Sequence, residues 1–141
     1  MNDFRLIYPM VAMAALSATV LVILFRSRVR AVKLGQVTSK YFRIYQGETE
    51  PEQAAKASRH FSNLFEAPTL FYAVCLAGLI THDTSLAMLV LGWLYVAARV
   101  VHAIVHLGPN RLRNRIRAYF GGWVVLAAMW IHLAVHTYNL P

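Results

Sequence analysis

Ionisable residues that stand inside apolar stretches are the first candidates for chemistry in this sequence. Arg59, Asn63 and Glu66 have the spacing i, i+4 and i+7. At 100° per residue, a helix places them within about 60° of one another, on one face. Because ionisable groups in hydrocarbon are costly, each of these side chains needs a partner or a function.

A second polar set stands later in the chain. Arg99, His102 and His106 fall within a similar arc of one helix, with Tyr95 on the same side. If the two helices are antiparallel spans, both sets lie at comparable depth, and we expect them to line a polar cavity between helices. The sequence leaves one alternative open, which is that Glu66 and Arg99 form a buried ion pair that only specifies helix packing.

Arginine occupies every second position of a short loop, at 111, 113, 115 and 117. One interpretation is a solvated loop that contacts anionic lipid headgroups. The other is that one of these arginines folds back over the mouth of the cavity, where a guanidinium would stabilise a thiolate or carboxylate of a ligand.

Two histidine pairs have the i, i+4 spacing, His102 with His106 and His132 with His136. Together they suggest a four-histidine metal site. The order of the helices opposes it, because it places the two pairs roughly 10–20 Å apart at about 1.5 Å per residue. We therefore predict no metal site, and interpret His132 and His136 as interfacial or packing residues.

The elements that must position these residues are membrane spans. The chain of 141 residues is 58% hydrophobic and 14% charged, which is too apolar for an ordinary soluble domain of this size. A soluble helical bundle should show a polar face at every turn, and the stretches 11–24 and 124–131 show almost none. The first block is longer than the apolar part of a signal peptide. We predict one four-helix, up-down transmembrane domain over residues 1–141, with spans at roughly 6–26, 59–80, 85–107 and 118–138.

The Lys and Arg residues concentrate in the loops after the first and third spans. The positive-inside rule therefore places those loops in the cytoplasm and both termini outside, for a protein of the bacterial inner membrane. This topology explains the net charge of +8 without nucleic acid as a partner. Cys75 is the single cysteine, so an intrachain disulfide is excluded.

The second helix carries two local signals. Thr49 followed by Glu52 three residues later predicts a helix start with Thr49 as N-cap. Pro68 falls in the interior of the helix, and we expect this proline to bend the helix locally.

The residues around both polar sets resemble a known family. The segment from Arg59 to Pro68, Arg-His-Phe-Ser-Asn-Leu-Phe-Glu-Ala-Pro, resembles the second helix of the membrane-associated proteins in eicosanoid and glutathione metabolism (MAPEG). The stretch 98–106 resembles their third helix, and Arg115 with Tyr119 resembles the start of their fourth. The resemblance covers roughly residues 50–125. The segment Asn-Leu-Phe-Glu-Ala-Pro resembles the bacterial branch of the family more than its other members.

The resemblance implies a homotrimer with sites between neighbouring subunits that open to the cytoplasm and bind glutathione as co-substrate. It implies that Arg115 stabilises the glutathione thiolate. His106 stands where the eicosanoid-forming members tend to have a tyrosine, which departs from the family pattern. The implied glutathione-binding residues are Arg59, Asn63, Glu66, Arg99, His102 and His106.

Three functions remain open at this stage. The first is a glutathione S-transferase or peroxidase that acts on lipophilic substrates dissolved in the bilayer. The second is a non-enzymatic membrane protein of the same fold that binds a lipid or a protein partner, since fold does not determine function. The third is a small transporter or channel that uses the intramembrane ionisable residues as a relay. The confinement of nearly all polar groups to one half of the bilayer argues against the third.

Overall fold

The computed structural model describes residues 4–138, and over that range the chain is helical, with no strand. Four helical segments are long and apolar enough to cross a membrane. The prediction of an all-helical, four-span membrane protein is confirmed. The side of the membrane on which each end lies stays a prediction. The helices are α1 (Ile7–Lys33), α2 (Tyr41–Ile44), α3 (Glu52–Asn63), α4 (Ala67–Ile80), α5 (Leu86–Leu107) and α6 (Leu112–Tyr138).

Helix α1 is longer than the hydrocarbon core is thick. Its 27 residues span about 40 Å at about 1.5 Å per residue, against a core of roughly 30 Å. The excess is its basic end, where Arg30 and Lys33 lie in the last turn. Cations are favoured there, because the unpaired carbonyl groups give the helix C-terminus a partial negative charge.

The segment between α1 and α3 folds back against the basic end of α1. Val37 and Tyr41 pack on Ala31 in a small apolar cluster. The Arg28 guanidinium lies over the rings of Phe42 and Tyr45, at 5.3 and 5.6 Å from their centroids. Its Nη2 also donates a hydrogen bond to Ser58 on α3 at 3.4 Å. Arg28 therefore ties this loop to both helices.

The second span is broken into α3 and α4 instead of bent. Residues 64–66 lie outside both helices, and Glu66 departs from helical geometry with φ −93° and ψ −100°. Pro68 lies in the first turn of α4, where its missing N–H costs no hydrogen bond. In a continuous helix its ring would clash with the carbonyl of Leu64, four residues earlier. The prediction of a continuous helix that bends at Pro68 is thus wrong, because one helix ends before Pro68 and another begins next to it.

The predicted capping role of Thr49 is also wrong. Helix α3 begins at Glu52 with Pro51 at the N-cap position, in extended geometry at ψ 143°, and no side chain caps the helix. A proline there disfavours helical geometry at the preceding residue, Glu50, which would have to be helical if Thr49 were the N-cap. Glu52 instead lies in the first turn and pairs with Lys56 at 2.6 Å.

Helices α5 and α6 form the other half of the bundle. Ser85 caps α5 by accepting a hydrogen bond from the backbone N–H of Met88. The apolar core lies between the spans and includes Met13, Phe71, Tyr95 and Met129, all fully buried. Large apolar side chains also cover the outer faces of the helices, as expected where lipid is the solvent.

Candidate functional site

A polar cavity lies between α3, α5 and the start of α6. Its volume is about 450 Å³. Five of the predicted site residues line it, and α6 supplies the aromatic side chains at its edge. The lining residues are Arg59, Ser62, Asn63, His102, His106, Arg115, Ile116, Tyr119 and Phe120. The structure therefore brings together most of the two predicted polar sets.

Histidines join α3 to α5 directly beside the cavity. The Nδ1 atoms of His60 and His106 are 3.1 Å apart. The His60 ring also packs edge-on against His102, with centroids at 5.2 Å. All three side chains are buried, with exposed fractions of 0–2%. His60 was not among the predicted site residues, since it lies about 100° around the helix from Arg59 and outside the predicted stripe.

Arg99 is buried below the cavity and does not line it. Only 1% of its surface is exposed, and its Nη2 donates to the backbone carbonyl of Asn63 at 3.4 Å. Asn63 is the last residue of α3, so Arg99 satisfies a carbonyl that the broken helix leaves without an intrahelical partner. The guanidinium also lies 5.5 Å from the ring centroid of Tyr95 and 5.6 Å from that of Tyr119.

Glu66 and Arg99 do not form an ion pair within the part of the chain that the structure describes. Glu66 lies in the break between α3 and α4 and is exposed, while Arg99 is buried. Tyr119 connects them, because its hydroxyl is 3.5 Å from Oε2 of Glu66 and its ring faces Arg99. The expectation of one continuous helical stripe fails at Glu66, since the chain is no longer helical there.

One arginine of the loop run reaches the cavity. Arg115 is half-buried and lines it, and its Nη1 donates to Oδ1 of Asn110 at 3.0 Å. Asn110 has a left-handed backbone with φ 49°, a conformation that asparagine tolerates better than most residues. Arg111, Arg113 and Arg117 are exposed and do not line the cavity.

His132 and His136 lie at the other end of the bundle, against the turn between α4 and α5. His132 Nε2 is 3.3 Å from Oδ2 of Asp83, and His136 Nδ1 is 4.0 Å from Oδ1. Asp83 is 1% exposed. The four histidines of the two pairs therefore do not meet. Asp83 was not among the predicted site residues, because a lone carboxylate in a short turn has no distinctive spacing in the sequence.

These observations define a class. The chain is a multi-pass α-helical membrane protein with a cationic, imidazole-rich cavity at its basic end. The sequence profile of the MAPEG family matches residues 6–135, and the protein belongs to that family. No curated protein and no solved structure matches the chain.

Proposed function

We propose that this protein is a glutathione-dependent transferase or peroxidase for lipophilic substrates, acting at cytoplasm-facing sites between the subunits of a homotrimer. The observation that carries the proposal is the cavity, which gathers two arginines, an amide and two imidazoles. The chain belongs to a family that includes glutathione transferases and peroxidases.

The size and charge of the cavity suit glutathione. Small-molecule sites have volumes of roughly 300–1,000 Å³, and this one measures about 450 Å³. Glutathione carries two carboxylates, two peptide groups and a thiol. The exposed guanidinium of Arg59 is suited to binding a carboxylate with two parallel hydrogen bonds, and the Asn63 amide to binding a peptide group.

Arg115 is the residue we assign to the thiol. A thiol with a pKa near 8.5 is mostly protonated at neutral pH, and an adjacent guanidinium favours the thiolate. In a transferase reaction, the thiolate sulfur bonds to an electrophilic carbon, and the leaving group departs with the bonding electrons. In a peroxidase reaction, two glutathione molecules become one disulfide while a hydroperoxide is reduced to an alcohol and water.

The exposed apolar edge of the cavity supports a site that lies between subunits and is open to lipid. Phe120 and Ile116, at the edge of the cavity, are 61% and 45% exposed in the single chain. An apolar edge on a polar cavity is suited to a lipophilic substrate that arrives from the bilayer. It is equally suited to contact with a second subunit, which would close the open side of the site.

The direct test is turnover by the purified protein in lipid nanodiscs. We expect glutathione to be conjugated to a chlorodinitrobenzene or to reduce an organic hydroperoxide, at a rate that the heat-inactivated protein does not reach. A trimer that binds glutathione and turns over neither substrate class would contradict the enzymatic proposal.

One observation favours a non-enzymatic binding protein as the second candidate. His106 packs against His60 and offers no hydroxyl to the cavity at the position where the family's eicosanoid-forming members tend to have a tyrosine. In that case glutathione or an anionic lipid occupies the same cavity without reaction. Saturable binding with no turnover is the result that this candidate predicts.

A further inference from the structure

Three buried histidines from two helices converge at the basic end of the bundle. His60 comes from α3, and His102 and His106 come from successive turns of α5. One ring nitrogen from each lies within 4.8 Å of the corresponding nitrogens of the other two. None of the three is more than 2% exposed. Among the described residues, these three histidines are the one group of three or more possible metal ligands whose ligand atoms lie this close together.

One pair of these nitrogens has the spacing of ligands in a zinc site. Zinc–nitrogen distances of about 2.0–2.1 Å at tetrahedral angles put neighbouring ligand atoms about 3.3 Å apart. The Nδ1 atoms of His60 and His106 are 3.1 Å apart, and His102 is within 4.8 Å. Any pair of nitrogens farther apart than this would have to close by rotation of the rings when an ion binds.

The ring of His60 can give one metal ion only one of its two nitrogens. Its Nδ1 faces Nδ1 of His106 at 3.1 Å, so Nδ1 would be the ligand. Its Nε2, which is buried and has no hydrogen-bond partner within the described residues, would stay outside the coordination sphere. What indicates a ligand is the convergence of three buried imidazoles from two helices.

The cluster is also placed so that a metal would keep an open coordination position. His102 and His106 line the polar cavity, whereas His60 does not. A metal held by the three imidazoles would therefore face the cavity. Three protein ligands with a free fourth position are typical of catalytic zinc sites. Arg59 and Arg115 line the same cavity, so their charge favours an anion as the fourth ligand.

We infer that His60, His102 and His106 form a binding site for a divalent transition metal, of which zinc is the best match, with its open position toward the cavity. Imidazole nitrogen is a good ligand for zinc and cobalt. This site differs from the four-histidine arrangement excluded above. It does not depend on glutathione, because the metal ligands are side chains of this chain alone.

The test is titration of metal-free protein with Zn²⁺ alone, in detergent and without glutathione, using protein purified without a polyhistidine tag. We expect saturable binding of one ion per subunit. X-ray absorption at the zinc edge should show three imidazole nitrogens at about 2.0–2.1 Å. Co²⁺ in place of Zn²⁺ should give the visible absorption of a four-coordinate ion.

Variants assign the binding to the cluster. His60→Gln should weaken Zn²⁺ binding at least about tenfold, since even loss of an outer partner costs that much. The matched control is His136→Gln, a histidine at the opposite end of the bundle, which should bind Zn²⁺ as the wild type does. Circular dichroism and gel filtration check that both variants fold.

Two results would overturn the inference. One is a wild-type protein that binds no Zn²⁺ at stoichiometric level, or binds it without three imidazole ligands. The other is a folded His60→Gln variant that binds Zn²⁺ as tightly as the wild type. Because the absorption measurement uses the wild-type protein, the inference stays testable even if His60→Gln does not fold. Glutathione binding measured separately shows which of the two proposals has failed.

Discussion

Tyr119 contacts both Arg99 and Glu66, with its ring 5.6 Å from the Arg99 guanidinium and its hydroxyl 3.5 Å from the Glu66 carboxylate. The buried cation is thus stabilised by an aromatic face and a helix-terminal carbonyl, and not by the nearby acid. The two contacts of Tyr119 have different strengths, and substitution can separate them.

Tyr119→Phe should change stability little, and Tyr119→Leu should lower it more. Phenylalanine keeps the face over Arg99 and loses only a long hydrogen bond to an exposed carboxylate. A desolvated cation–π contact contributes up to about 2 kcal/mol. Thermal unfolding in one detergent measures both variants. Equal destabilisation by Phe and Leu would show that the hydroxyl, and not the ring, is the important group.

Two adjacent glycines on α6 provide a matched pair for helix packing. A Cβ on Gly122 would lie 3.6 Å from Cδ of Arg99, whereas one on Gly121 would meet nothing within 4 Å. Gly121→Leu should therefore be tolerated, and Gly122→Leu should destabilise the protein by displacing Arg99. Overpacking typically costs about 1–3 kcal/mol, and thermal unfolding again measures it. Similar melting temperatures for the two variants would contradict the packing of α6 on α5.

The Asp83 cluster should contribute to stability. His132→Leu removes the imidazole closest to a buried carboxylate, with Nε2 at 3.3 Å from Oδ2 of Asp83, which we expect to cost about 1–3 kcal/mol. If the two groups interact, Asp83→Asn combined with His132→Leu should cost less than the sum of the single changes. A double-mutant cycle by thermal unfolding measures the difference. Strict additivity would mean that the two side chains do not interact.

Arg115→Ala should lower turnover far more than it lowers stability. Loss of a charged group that stabilises the reacting anion typically reduces kcat by about 100-fold or more. Arg113→Ala is the matched control, since Arg113 belongs to the same arginine run but is exposed and outside the cavity. Initial rates with saturating glutathione distinguish the two. Normal turnover by purified Arg115→Ala would remove Arg115 from the mechanism.

The sequence was sufficient to predict the fold because hydrocarbon imposes a simple rule on composition. Spans of about twenty apolar residues between basic loops can be recognised in the sequence without any knowledge of tertiary contacts. It also predicted that polar side chains of α3 and α5 meet, because helical periodicity fixes which residues share a face. Arg59, Asn63, His102 and His106 accordingly line one cavity. Arg115 lines it from α6, and only the family resemblance distinguished it from the other arginines of its loop.

Departures from regular helix could not be predicted in the same way. Glu66 left the predicted face because Pro68 starts a new helix rather than bending an old one. His60 was missed because its position is meaningful only once α3 is packed against α5. Asp83 was missed because the turn that contains it meets α6 about fifty residues later in the chain. Each of these depends on tertiary contacts that local spacing does not encode.

Calorimetric titration of glutathione into the detergent-solubilised, metal-free protein is the decisive test of whether the cavity binds glutathione. We expect a saturable heat of binding that Arg59→Ala abolishes or strongly weakens and that Arg111→Ala leaves unchanged, since Arg59 lines the cavity and Arg111 does not. A folded wild-type protein that releases no heat with glutathione would contradict glutathione binding in this cavity.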